Sequence, residues 1–309
     1  MSVERRQALL FPGQGISPQE IVSFHSDLRE INERKVRETL RLAEDTLNEV
    51  FGYKAFSLHE SLEDPDSNNF EQTSFTQLLI HSLSSAGTQI FRGDLDPEFV
   101  IGHSLGEYGA ITFADVITKE EGMKIVAHRG KYMQEACEVS PSRLVAIVGL
   151  SKEKIEDIYR KTQGIEVALI NSDDLIVIGC NVEQTEDVRK LAEEQKAIKT
   201  FVLNTPGAFH TSRMAGAASE LQKVFDGIDF KDPKTIVVLN LTGEQAMGGN
   251  HIKRSLVKSM MNPVQWALTL DVLKGAGTNE FIETGPGNSL AILNRRNGID
   301  RSMTRNILD

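Results

Sequence analysis

The chain has 309 residues, 40% of them apolar and 25% charged, and 34 Lys plus Arg against 44 Asp plus Glu give a formal charge of −10. That composition buries a substantial core of one or two domains and excludes a disordered polymer. The acidic balance excludes a general nucleic-acid binder, and no run approaches the roughly 18 to 20 continuous apolar residues of a membrane span.

A buried strand is expected over Gln7 to Phe11, stopped by Pro12-Gly13-Gln14-Gly15. This apolar run is too short for a signal-peptide core. With only Cys137 and Cys180, it points to a soluble cytoplasmic protein, in which the sequon Asn240-Leu241-Thr242 carries no weight. Pro18 to Val50 reads as charged surface helices, with Leu40, Ala43, Leu47 and Val50 at helical spacing. A turn-rich stretch over Glu63 to Asn69 leads to a helix from about Thr76 to Phe91, a short strand Pro97 to Ile101, and a helix starting near Leu105.

From about 143 to 203 the order changes to strand Leu144–Val148, helix Lys152–Lys161, strands Val167–Ile170 and Leu175–Ile178, helix Val182–Gln195 and strand Lys199–Leu203. That is βαββαβ, the ferredoxin-like pattern. The fold expected is therefore α/β: a large parallel-sheet subdomain like that of α/β-hydrolases, residues 1–135 and 204–309, with a small ferredoxin-like subdomain inserted over 136–203. The return segment carries a strand Thr235–Leu239, helices over Ile252–Met261 and Gln265–Leu273, and a strand Glu280–Glu283.

The strongest chemical signal is Gly102-His103-Ser104-Leu105-Gly106-Glu107, a G-x-S-x-G between a strand and a helix. Such a turn presents a serine hydroxyl at the top of a parallel sheet, with helix N-terminal amides behind it for an oxyanion. A protonated hydroxyl needs a base. Of seven histidines, His25 and His59 lie in charged, surface-like stretches, His81 is on a helix face and His251 is in a Gly-Gly-Asn loop. His103 should point away from Ser104. His210 follows Pro206-Gly207-Ala208-Phe209 at the junction of the two subdomains. Spacing alone leaves open whether it is a base or a packed loop histidine, and composition alone favours an exposed helix position for Arg129. The G-x-G of Gly13-Gln14-Gly15 has proline at 18 where a dinucleotide fingerprint needs glycine, and no Cys/His set has zinc spacing, so no metal or nucleotide cofactor is expected.

Nearly the whole chain resembles the malonyl-CoA:acyl carrier protein transacylase family and the acyltransferase domains of polyketide and fatty-acid synthases. The resemblance lies in Leu10-Phe11-Pro12-Gly13-Gln14-Gly15, Thr76-Gln77, Gly102 to Tyr108, His128 to Gln134, Ala208-Phe209-His210-Thr211, Leu241-Thr242-Gly243, Asn262 to Trp266 and Phe281 to Gly287, in that order. It implies Ser104 as nucleophile, His210 as base, and the backbone amides of Gln14 and Leu105 as the oxyanion hole. It also implies Arg129 as the grip on the free carboxylate of malonyl, and Gln77, His103, Phe209 and Asn171 in the substrate pocket. Phe209 before the histidine fits malonyl better than α-methylated units. The family's histidine support falls on Ser259, by its carbonyl or its side chain.

The departures are Ile16-Ser17 after Gly15, Leu78 after Gln77, and a poor match over Pro18 to Asn69. The resemblance further implies a monomer with no bound cofactor, taking malonyl-CoA as donor and the 4'-phosphopantetheine thiol of an acyl carrier protein as acceptor, in fatty-acid or polyketide synthesis.

Two other functions compete. An editing hydrolase would share the elbow, but an α/β-hydrolase proper places an Asp or Glu between serine and histidine in chain order and has no use for Gln14 or Arg129. An inactive carrier-docking module would not need Ser104, His210 and Arg129 together. Because acyl carrier proteins are acidic, a chain of charge −10 needs a local basic patch, with Lys253, Arg254, Lys258, Arg295 and Arg296 as candidates.

Overall fold

The computed structural model describes residues 5–52 and 57–309. Its strands are β1 (Gln7–Phe11), β2 (Phe99–Gly102), β3 (Ser142–Val148), β4 (Glu166–Ser172), β5 (Leu175–Asn181), β6 (Lys199–Val202), β7 (Ile236–Val238), β8 (Glu280–Glu283) and β9 (Thr304–Asn306). The helices are α1 (Pro18–Phe51), α2 (Leu58–Glu63), α3 (Thr73–Ile90), α4 (Gly106–Phe113), α5 (Lys119–Val139), α6 (Lys152–Lys161), α7 (Thr185–Glu194), α8 (Ala215–Asp226), α9 (Gly249–Ser259), α10 (Trp266–Gly275) and α11 (Ser289–Arg296).

Two sheets divide the work. A parallel sheet runs β7-β2-β1-β8-β9. β1 and β2 are nearly continuous apolar runs, because helices cover both faces of such a sheet. The second sheet is antiparallel, in the order β4-β5-β3-β6. Numbered within the βαββαβ unit this is 2-3-1-4, the ferredoxin-like arrangement that the sequence pattern implies. Alternation along β3 explains its two faces. Val145 and Ile147 pack with Ile155, Ile158 and Val188 beneath α6 and α7, whereas Leu144, Ala146 and Val148 join the main core. The small sheet is tied to the large unit through the main chain: Ile170 N–H donates to Val264 O at 2.9 Å, and Val264 N–H to Ala168 O at 3.1 Å.

The segment after Gly15 departs from the surface reading. Ser17 caps α1 in a capping box with Glu20, and Asn32 breaks the helix with φ −155° and ψ 78°. Its inner side buries Ile21, Phe24, His25, Leu28, Val36, Ala43 and Leu47, so His25 is an interior histidine and not a surface one. Burial lowers its pKa to about 4.

β1, β2 and α4 meet at almost no separation. A Cβ on Gly106 would fall 1.9 Å from the carbonyl oxygen of Phe11, and one on Gly102 would fall 1.9 Å from the carbonyl carbon of Gly106. Gly106→Ala should therefore cost about 3 kcal/mol or more, because backbone must move to admit it. A urea midpoint unchanged from that of the parent would show that the turn has slack.

Candidate active site

The strand–turn–helix of β2 and α4 holds Ser104 at φ +53°, a left-handed conformation that costs a residue with a Cβ of order 1–3 kcal/mol unless its surroundings fix it. Asn240, after β7, does the fixing. Its Oδ1 accepts from Ser104 N–H at 2.7 Å, its Nδ2 donates to Gly102 O at 2.5 Å, and its own amide donates to Glu107 Oε1 at 3.0 Å. One side chain thus ties the strand end to Ser104.

His210 is also left-handed, with φ +62°. Its Nε2 lies 2.6 Å from Ser104 Oγ and its Nδ1 lies 2.7 Å from the carbonyl oxygen of Ser259. The carbonyl can only accept, so Nδ1 carries the proton and Nε2 faces the hydroxyl as an acceptor. Burial, then the positive charge of Arg129, lowers the pKa of His210 to about 3, which keeps the ring neutral and able to take a proton. Support comes from the main chain at Ser259. That residue's hydroxyl instead shares its one proton between Glu107 Oε2 at 3.2 Å and Leu256 O at 3.0 Å. The acid partner of an α/β-hydrolase triad has no counterpart at Nδ1.

Arg129 departs from the exposed position that composition favours. It is 2% exposed, on the inner side of α5. α5 approaches α3 closely because Gly130 has no side chain: a Cβ there would fall 2.7 Å from the Cα of Ser74. The approach lets Arg129 Nη1 donate to Gln77 Oε1, and Nη2 reach Ser104 Oγ at 3.1 Å. Gln77 Nε2 then donates to Thr73 Oγ1 at 2.9 Å, and the same hydroxyl meets the side-chain amide of Gln14, with Gln14 Nε2 at 2.8 Å. The Tyr108 ring lies 5.4 Å from the guanidinium carbon. Among the described residues Arg129 Nε is buried without an acceptor, and with Nη2, which meets Ser104 Oγ, it forms the fork-shaped edge beside the serine.

Among the described residues, the backbone amides of Gln14 and Leu105 donate to no protein acceptor, which leaves both able to bind an anion. Gly13 allows that loop to lie against His103, whose carbonyl oxygen would be 2.8 Å from an added Cβ. His103 turns away from Ser104: its Nε2 is 2.9 Å from Asn171 Oδ1 on β4, and its ring packs edge-on to Trp266. Burial lowers its pKa. Phe209 is buried beside His210. Three residues of the site escape the sequence reading: Asn240, Glu107 and Thr73. Asn240 sits in the dismissed sequon, and Glu107 lies within the elbow itself.

Two of the five basic candidates are engaged. Lys253 pairs with Asp226 at 3.2 Å and Arg296 with Asp174 at 3.3 Å, whereas Arg254 and Lys258 are exposed four residues apart on α9. Among the described residues, no group of His, Cys, Asp and Glu could hold a metal ion, and no helix is long and apolar enough to cross a membrane.

Residues 20–298 match the family described as acyl transferase domain. The chain belongs to the acyl transferase family. Within it, this acyl transferase is 29% identical to the malonyl CoA-acyl carrier protein transacylase of Staphylococcus aureus, over 97% of this chain and 94% of that one. It superposes on the malonyl-CoA:acyl carrier protein transacylase of Xanthomonas oryzae with a TM-score of 0.87, at 26% identity, covering 99% and 95% of the two chains. A malonyl-transacylase solved with its type II polyketide synthase acyl-carrier protein gives a TM-score of 0.83, at 26% identity over 97% and 94%. Asn240→Ala should cost this acyl transferase about 2–3 kcal/mol, because the amide of Ser104 loses its acceptor inside the protein. Thermal and urea unfolding check this, and a loss within experimental error would mean that the elbow keeps its shape unaided.

Proposed function

We propose that this acyl transferase moves malonyl from malonyl-CoA to the phosphopantetheine thiol of an acyl carrier protein, by way of a malonyl ester on Ser104. The observation that carries the reading is Ser104 Oγ held at once by a neutral base and a buried cation, 2.6 Å from His210 Nε2 and 3.1 Å from an Nη of Arg129. Nε2 takes the hydroxyl proton as Oγ bonds to the thioester carbon. The carbonyl oxygen becomes an oxyanion facing the amides of Gln14 and Leu105. The C–S bond breaks, and His210 returns its proton to the departing thiolate of coenzyme A. In the second half, the carrier thiol gives its proton to His210 and attacks the ester, and Ser104 leaves with that proton. No metal or redox group enters either half, and the kinetics are ping-pong.

The Nε–Nη2 edge of Arg129 supports a bidentate grip on the malonyl carboxylate. Gln77 holds the guanidinium in plane, Phe209 crowds the α-carbon, and His103 and Asn171 form the wall toward the small subdomain. The enzyme acts as a monomer, and two free buried cysteines fit a reducing cytoplasm. The carrier docks against Arg254 and Lys258, on the helix that ends at the carbonyl holding His210. The acceptor serves fatty-acid or polyketide synthesis.

Intact-protein mass spectrometry with malonyl-CoA should show one malonyl group on Ser104, and none on Ser104→Ala. Turnover of simple esters without that adduct would make the enzyme a hydrolase. Arg129→Ala should lower malonyl loading about a hundredfold or more while sparing acetyl loading, the measure of a desolvated charged pair; equal losses for both would remove Arg129 from carboxylate binding. Reversing Arg254 and Lys258 to Glu should raise the carrier KM about tenfold at low salt and much less at high salt. A KM unchanged at low salt would move the docking site elsewhere.

A further inference from the structure

The site contains a second buried charge. Glu107 is 4% exposed, and its two oxygens accept from the amide of Asn240 and the hydroxyl of Ser259. It therefore touches the support of Ser104 and the support of His210, but neither reacting atom. Ser104 joins it to Arg129: the guanidinium reaches the serine Oγ at 3.1 Å, the serine amide donates to Asn240 Oδ1 at 2.7 Å, and Asn240's own amide donates to Glu107. Among the described residues, neither charge makes an ion pair within 4.0 Å, so the two share one dry site without neutralising each other. Low dielectric makes the field between them strong.

We propose that Glu107 is the counter-charge that tunes how strongly Arg129 selects its acyl group, and that it takes up a proton from solvent when a carboxylate-bearing acyl group reaches the arginine. This rests on the malonyl-transfer reading of the same site. With Arg129 facing no other anion, Glu107 is favoured as a carboxylate. A malonyl carboxylate cancels that attraction and adds a repulsion, so Glu107 binds a proton; acetyl brings no charge and leaves it ionised.

The balance lies in the accessible range, because burial already raises Glu107 to about 7 against its hydrogen bonds and Arg129. The neighbours do not titrate there. Arg129 stays charged, Tyr108 is raised to about 12, His210 is held down to about 3, and His81 of α3, behind α4 at Thr112, is held down to about 4. The sign follows. Below about 7 Glu107 is neutral and Arg129 is free for malonyl; above it the carboxylate competes, so selection for malonyl weakens as pH rises.

The test loads the enzyme with malonyl-CoA or acetyl-CoA in weak buffer near pH 7.5, reading protons with an indicator dye and adducts by mass. Acylation of serine by a thioester consumes no proton, so the difference between the two loadings reports the site. Malonyl loading should take up a large fraction of a proton per adduct more than acetyl loading. The ratio of kcat/KM for malonyl over acetyl should fall about fivefold between about pH 6 and 8, the effect of one pKa unit of coupling over that range. Glu107→Gln, whose amide can still accept from Asn240 and donate to Ser259, should lose both the uptake and the pH dependence. Equal uptake for the two acyl groups in the parent enzyme overturns the inference without any variant, and so does a difference that survives Glu107→Gln. Absence of the malonyl adduct is a separate outcome, and it would sink the transfer reading instead.

Discussion

A permanent positive charge held out of water is the constraint on which this site depends. Arg129 is buried on α5 and cannot lose its proton under ordinary conditions, so its surroundings must replace its hydration. Gln77, Thr73 and the side chain of Gln14 form one hydrogen-bonded chain that fixes the guanidinium from the α3 side. On the other side the charge acts on Ser104 and lowers the basicity of His210. The arrangement leaves one guanidinium donor, Nε, unsatisfied among the described residues. A site that carries an unpaired donor in a dry pocket is costly when empty and selective when filled.

Ser104 and His210 are brought together from segments far apart in the chain. Ser104 stands at the end of a strand of the parallel sheet, and His210 stands in a loop entered from the small sheet. Asn240 and Ser259 reach them from the return segment, and Glu107 joins these two supports to each other. The small subdomain is therefore a wall of the site and not a passive insertion. Its main-chain bonds to Val264 and the contact of Asn171 with His103 fix it against the large unit.

The sequence is most legible where local pattern and tertiary role agree. β1, α6 and β8 fall where alternation, helical spacing and turn residues put them, and the βαββαβ order is readable because each short element has its own apolar rhythm. α5 is different. Its inner side buries Met123, Val126 and Met133, but Gly122, Gly130 and a buried arginine interrupt that apolar stripe where α5 packs closest. α8 is hidden in the same way by Ala217 and Ala218, and β9 is a three-residue edge strand with no apolar side chain. Ser104 is visible as a motif because its strain needs flanking glycines. Asn240 is not, because its role exists only once β7 lies beside β2. Pairing at a distance of 136 residues leaves no local trace.

Ser104 and His210 both occupy left-handed backbone, and this limits which chemistry the scaffold could adopt by substitution. A branched Cβ is strongly disfavoured at positive φ, so threonine is excluded at position 104 although it carries the same hydroxyl. Cysteine has serine's shape at Cβ and meets no such barrier. The fold would therefore admit a thiol nucleophile more readily than a second alcohol, and its routes to new reactivity run through sulfur.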